Sequence, residues 1–186
     1  MPSVVEFSSE QSANNHCKAF INLFRIKCKL NSDRIFARYY SNNAYKTLTY
    51  AECDRITTNL ACKWAAKGKG VECISLIGDH SVDYLIVMLA LLKLRSTLLA
   101  VSPRNSEPAI INLLEKTNSK LFLATAKHES IAQSAAAKVG GVEVIIIEPL
   151  NIEELLLEPL VPEHDKLLDL EFTDADLEKA ALIIHR

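Results

Sequence analysis

Glycine is scarce in this sequence. Five of them, Gly68, Gly70, Gly78, Gly140 and Gly141, serve 186 residues, where average usage would supply about 7%. Glycine lets a backbone close around a phosphate with no Cβ in the way. Neither G-x-G-x-x-G nor G-x-x-x-x-G-K-[ST] can be written from these positions, so a glycine-built nucleotide cradle is excluded from this stretch. Aromatics make up only 6%, and the core is expected to be aliphatic. Charge of one sign is missing too: 21 Lys+Arg face 23 Asp+Glu, a formal net of −2. The bases form no stripe interleaved with aromatics, which argues against a nucleic-acid partner.

Paired cysteine spacing is absent. Cys17, Cys28, Cys53, Cys62 and Cys73 are odd in number and include no C-x-x-C. Met1–Glu10 has neither a basic n-region nor an apolar h-region, so reduced thiols in a cytoplasmic protein are expected. The longest apolar run, Tyr84–Leu92, is bounded by Asp83 and Lys93. It falls well short of the ~20 residues that span a bilayer and reads as a core helix, with no membrane as partner.

Recognisable reaction centres are missing as well. There is no G-x-S-x-G elbow, and His16, His80, His128, His164 and His185 are scattered. No His or Cys pair falls at metal-ligand spacing with a matching second pair. Glu163-His164-Asp165 gathers three ligand types, but consecutive residues rarely converge on one ion. Asp79 follows a strand and could accept a phosphoryl group only with companion acids and a lysine from other strand ends. The pattern supplies neither, and Gly78-Asp79-His80-Ser81 needs only a strand-to-helix turn with Ser81 as N-cap. No catalytic, cofactor-binding or metal-binding residue is nominated.

What is present is a regular alternation of apolar segments in a chain that is 49% hydrophobic. Met1–Asn15 is polar and expected to be disordered, leaving residues 16–186 as the folded part. Cys17, Phe20, Ile21, Phe24 and Cys28 recur at helical spacing. Arg34–Tyr40 and Tyr45–Thr49 are β-rich and flank Ser41-Asn42-Asn43, which predicts a small antiparallel hairpin. Thr49-Tyr50-Ala51-Glu52 is a capping box opening a helix with Cys53, Ile56, Leu60 and Trp64 on one face. Lys67-Gly68-Lys69-Gly70 supplies cations and a glycine stop at its end.

From Val71 the pattern is strand, helix, strand, helix. Strands are expected at Val71–Ile77, Thr97–Val101, Lys120–Ala124 and Val142–Ile147. Helices are expected at Asp83–Leu94, Glu107–Thr117 (with Pro108 in its first turn) and Glu129–Val139. Short apolar strands alternating with helices imply parallel pairing through right-handed crossovers. The expected fold is α/β, a parallel sheet of about five strands with helices on both faces and a small N-terminal hairpin. Residues 148–186 carry a net −8 and residues 1–147 a net +6. Pro149, Pro159 and Pro162 break Glu148–Thr173 into an irregular acidic connection, read as a strap over the more basic body. One helical turn at Asp174–Glu178 and a buried strand at Ala180–His185 are expected after it.

These residues resemble the beginning of an adenylate-forming domain of the AMP-dependent synthetase/ligase (ANL) superfamily. Leu48-Thr49-Tyr50-Ala51-Glu52-Cys53 is similar to the family's L-T-Y-x-E-L motif, with Cys53 for leucine. Asp83-Tyr84-Leu85 through Ala90-Leu91-Leu92-Lys93-Leu94-Arg95 is similar to the helix that ends in L-K-x-G. Ser102-Pro103-Arg104-Asn105-Ser106 with Ile110–Thr117 is similar to the segment after it. That wording is nearest the fungal aminoadipate-reductase-like and nonribosomal-peptide-synthetase-like branch. Ala180–His185 is similar to the strand that leads into the family's Ser/Thr/Gly-rich phosphate loop.

The resemblance covers Cys17 to His185 and departs twice. Arg95 stands where the family has glycine, at a cost of ~1 kcal/mol if the backbone there is left-handed. Arg186 stands where the phosphate loop would begin. The resemblance implies that the full unit uses ATP and Mg2+ to convert a carboxylic acid to an acyl-adenylate and passes it to a thiol. It places no functional residue on this stretch, which is expected to bind no cofactor and to be inactive alone. The expected partner is the remainder of the enzyme or a homologue. The alternative expectation is a non-catalytic interaction module that uses the sheet edge or the acidic segment.

Overall fold

The computed structural model describes residues 19–66, 73–160 and 177–184. The expected N-terminal disorder, the 67–70 helix stop, Glu163-His164-Asp165 and residue 185 lie outside them, as do the strand start at 71 and most of the acidic connection.

Helix α1 spans Phe20–Leu30 and buries Ile21, Asn22 and Cys28. Phe20, expected on that buried face, instead lies 54% exposed; the helix carries apolar residues on two sides, and α2 and the sheet can cover only one. Strands β1 (Ile35–Ser41) and β2 (Ala44–Thr49) pair antiparallel, with Ser41 opposite Ala44. The two residues between, Asn42 and Asn43, have φ of 51° and 59°. Both central residues at positive φ make the tight hairpin turn that asparagine favours.

Helix α2 (Tyr50–Ala66) starts at the expected capping box. The Thr49 N–H donates to Glu52 Oε2 at 2.7 Å, and the Glu52 N–H donates to Thr49 Oγ1 at 3.2 Å. Cys53 and Ile56 on its apolar face are fully buried.

The main sheet contains β3 (Cys73–Ile77), β4 (Thr97–Val101), β5 (Leu121–Thr125), β6 (Glu143–Ile147) and β7 (Leu182–Ile184), all in parallel pairs. Its order is β6-β5-β3-β4-β7. The connecting helices are α3 (Val82–Lys93), α4 (Glu107–Thr117) and α5 (Glu129–Val139). Alternation along β3 divides the core. Ile74 and Leu76 pack with Ile21, Val87 and Leu91, while Cys73 and Ile77 pack with Ile110, Leu114, Ala132 and Ala135. Thus α1 and α3 cover one face and α4 and α5 the other, as expected of a doubly wound sheet.

Two segments differ from expectation. The acidic connection opens with a short helix, α6 (Ile152–Leu157), where the prolines suggest irregular chain. Asn151 caps it by accepting from the Glu154 N–H at 3.3 Å; Pro149 precedes the helix and so does not interrupt it. Strand β7 is an edge rather than a buried strand, with Leu182 40% and Ile184 71% exposed. It pairs on one side with β4, and no described residue pairs on the other.

Candidate functional site

The connection from β3 runs through α3 on one face, whereas those from β4 and β5, its two neighbours, run through α4 and α5 on the other. The carboxyl end of β3 is therefore a topological switch point, where open α/β sheets bind ligands. Gly78 occupies this end because there is no room for more. A Cβ there would lie 2.9 Å from Thr125 Cγ2 and 3.1 Å from the Tyr84 ring. That close approach brings the loop after β5 beside the loop after β3.

Asp79, next in the chain, bridges the two loops. Lys127 Nζ donates to Asp79 Oδ2 at 2.6 Å, and His128 Nε2 lies 3.3 Å from Asp79 Oδ1. The hydrogen bond from Lys127 holds the Asp79 carboxyl below its usual range, with His128 adding to it. Its side chain remains 56% exposed, so the contact is a solvated latch between loops rather than a buried reaction centre. On the β4 side, Gly78, Asp79, His80, Ser102, Pro103 and Arg104 line a cavity of about 370 Å3. Ser81 caps α3 as expected, accepting from the Tyr84 N–H at 3.0 Å.

The lysine that Asp79 lacked in the sequence is thus supplied by a strand end 48 residues away, and the acids Asp83 and Glu148 line a neighbouring cavity of about 290 Å3 with Asp79 and Lys127. Among the described residues no three His, Cys, Asp or Glu side chains gather to hold a metal ion. Gly78 faces Thr125 and Tyr84, while Gly140 and Gly141 follow α5 at the opposite edge, so among the described residues no glycine loop surrounds this crevice. The donor set here does not fit ATP with Mg2+.

Sequence reasoning missed a second polar cluster. Lys93, at the end of α3, is fully buried and donates to Asp54 Oδ1 at 2.6 Å, to the Asp54 carbonyl at 2.9 Å and to Thr58 Oγ1 at 2.7 Å. Burial lowers its pKa against the opposing pull of Asp54. Its only sequence signal was a lysine at the end of an otherwise apolar helix. All three ammonium protons are used, so this is a helix tie rather than a free nucleophile.

The sheet, its two helical layers and the hairpin are the architecture of adenylate-forming ligases. The structure superposes on the luciferase-like enzyme of the mealworm Zophobas morio with a TM-score of 0.70 at 16% identity, covering 95% of this chain and 41% of that one. It superposes on a long-chain-fatty-acid-CoA ligase of Archaeoglobus fulgidus with a TM-score of 0.62 at 17% identity, covering 99% and 36%. Residues 24–185 match the AMP-binding enzyme family, and the chain belongs to that family. Among curated relatives, the nonribosomal peptide synthetase benY of Aspergillus terreus is 30% identical over 124 residues, 64% of this chain and 11% of its own length. A plipastatin synthase polypeptide of Bacillus subtilis is 27% identical over 119 residues, 63% of this chain and 4% of its own. The chain thus spans a small fraction of the synthetases it matches and under half of these solved neighbours. No helix among the described residues is long and apolar enough to cross a membrane.

Proposed function

We propose that this chain is the scaffold-bearing opening part of an adenylating unit that activates a carboxylic acid with ATP and Mg2+ for transfer to a thiol. The same proposal holds that the 186 residues do not perform this reaction alone. The observation that carries it is the carboxyl edge of the sheet. In-line attack on a phosphorus needs charge stabilisation by a loop, a cation and a metal, whereas at this edge the described residues offer Lys127 and His128, both engaged with Asp79, and Arg104 and His80 beside them, with no three metal-ligating side chains together.

The test is carboxylate-dependent exchange of pyrophosphate into ATP, measured with the purified chain and with a chain extended into a Ser/Thr/Gly-rich segment ending in lysine. Exchange is expected only with the extended chain. Exchange by the 186 residues, or none by either, overturns the proposal.

A second reading is a non-catalytic interaction module, favoured by the β7 edge. Ile184 is 71% exposed on a strand whose outer backbone groups have no described partner, a template for adding a strand. The natural occupant is the remainder of the unit or a homologue. Co-purification with such a polypeptide, lost on Ile184→Pro, is expected; an unchanged yield of complex would count against it.

A further inference from the structure

We propose that the outer face of α1 is a self-association surface, which docks into a groove between α2, β6 and α6 of a second copy of this chain. Phe20, Leu23, Ile26 and Leu30 all lie exposed on that face. The opposite side of α1 is already occupied, since Ile21 and Cys28 are buried and Phe24 packs on the core. An eleven-residue helix with large apolar side chains on two sides buries only one of them in its own fold. An exposed apolar stripe of this kind marks an interaction site.

The groove has a volume of about 430 Å3. Leu60 and Trp64 of α2, Ile145 and Ile147 of β6, and Leu150 and Leu155 at α6 give it apolar walls. All six are only partly buried, so each keeps surface that a docked helix would cover.

Charge matches the two surfaces. Helix α1 contains no acid, and its exposed Lys27 and Lys29 have no ion-pair partner among the described residues. Among the described residues no Lys or Arg lines the groove, and Glu148 and Glu154 stand exposed beside it. Glu158, the third acid there, is held by Lys63 at 2.6 Å. Pairing α1 with α1 would set lysines against lysines, and pairing groove with groove would set carboxylates together. Only the crossed arrangement brings opposite charges to both.

Position closes the assembly. Helix α1 packs on α2, whose Leu60 and Trp64 wall the groove. Phe24, Leu60, Trp64, Ile145 and Ile147 pack against one core cluster, so the two surfaces lie on the same face of the sheet. Two copies related by a two-fold axis then each give one helix and receive one, and growth stops at the dimer. Strand β6 lies at the edge opposite β7, so this contact is separate from strand addition at Ile184.

Sedimentation of the full chain over a dilution series tests the proposal. A monomer–dimer equilibrium is expected. Trp64, the one tryptophan, reports on the groove, and its emission is expected to shift to the red as dilution empties it. A chain still monomeric at about 1 mM overturns the proposal, as does a dimer whose dissociation leaves that emission unchanged. Two double variants at exposed positions then separate the surfaces. Leu23→Asp with Leu30→Asp alters the helix face, and Glu148→Lys with Glu154→Lys reverses the groove; each is expected to weaken self-association about tenfold. Mixed together they retain one intact helix and one intact groove, and they are expected to pair with each other more tightly than either pairs with itself. Undiminished self-association of the groove variant means that α1 does not use the groove and overturns the proposal. A mixture of two folded variants no more associated than its parts overturns it equally. For a variant that loses the parent's far-UV dichroism, the Trp64 dilution series decides.

Discussion

Lys93 and Asp54 form the one ion pair among those described in which a partner has no exposed surface. The Lys93 side chain is 0% and Asp54 16% exposed, with Nζ to Oδ1 at 2.6 Å. The Lys93 ammonium also sits 5.9 Å from the centre of the Phe24 ring. One side chain on α3 thereby holds α2 by three hydrogen bonds and α1 by a cation–π contact.

Removing one member of such a pair strands the other. Asp54→Ala is expected to destabilise the fold by about 3–5 kcal/mol, because a buried ammonium loses its counter-charge. Lys93→Met keeps the volume and leaves a carboxylate that water can reach, so its loss is expected to be smaller. Urea unfolding of the two variants checks the order.

The buried thiols set a pH dependence. Burial, with Asp54 adding to it, pushes the Cys28 thiol up to about 12 against the opposing pull of Lys93 and Arg25; burial and Cys28 push Cys53 up to about 12. Both folded values exceed the ordinary 9.0, so the unfolded chain loses these protons first. The contribution is intact below pH 9 and falls as pH rises toward 12, by up to about 1.4 kcal/mol per pH unit for each thiol. Lys93 has the opposite sign: its lowered value makes stability rise with pH below the ordinary 10.5. The Cys28→Ala, Cys53→Ala double variant is expected to lose less stability than the parent between pH 9 and 11, read from urea midpoints.

Gly78→Ala places a methyl group against Thr125 Cγ2 at 2.9 Å. A loss of about 1–3 kcal/mol is expected from the overpacking. Thr125→Ser removes the contacting methyl and is expected to restore part of it in the double variant. Thermal melts of the four proteins check this.

Arg95 adopts φ of 59°, the left-handed conformation that its place in L-K-x-G implies. At this position glycine is expected to be more stable than alanine by about 1 kcal/mol, the reverse of their order inside a helix. Comparing Arg95→Gly with Arg95→Ala in denaturant isolates the backbone effect, since both lose the same side-chain contacts.

Most of the fold is legible because its signals are local. The capping box at Thr49 and Glu52 and the Ser81 cap need only neighbours in the chain, and strands β4 to β6 fall within one residue of their expected bounds. The site is less legible. Asp79 stands out in the sequence only as an acid after a strand, because Lys127 and His128 reach it only when β5 lies beside β3. Lys93 belongs to a recognisable motif, but its partner lies on another helix. The short α6 is hidden by prolines that flank it.

Hydrophobic period and end-capping chemistry dictate where each helix and strand begins, since both act over three or four residues. They also dictate that the strands run parallel, because helix-length segments separate them. They do not dictate strand order, which puts β3 between β5 and β4 and so joins Asp79 to Lys127. Nor do they choose which apolar side of α1 is covered, or leave β7 at an edge. Those outcomes depend on competition among distant surfaces for the same neighbours, and packing in three dimensions resolves it.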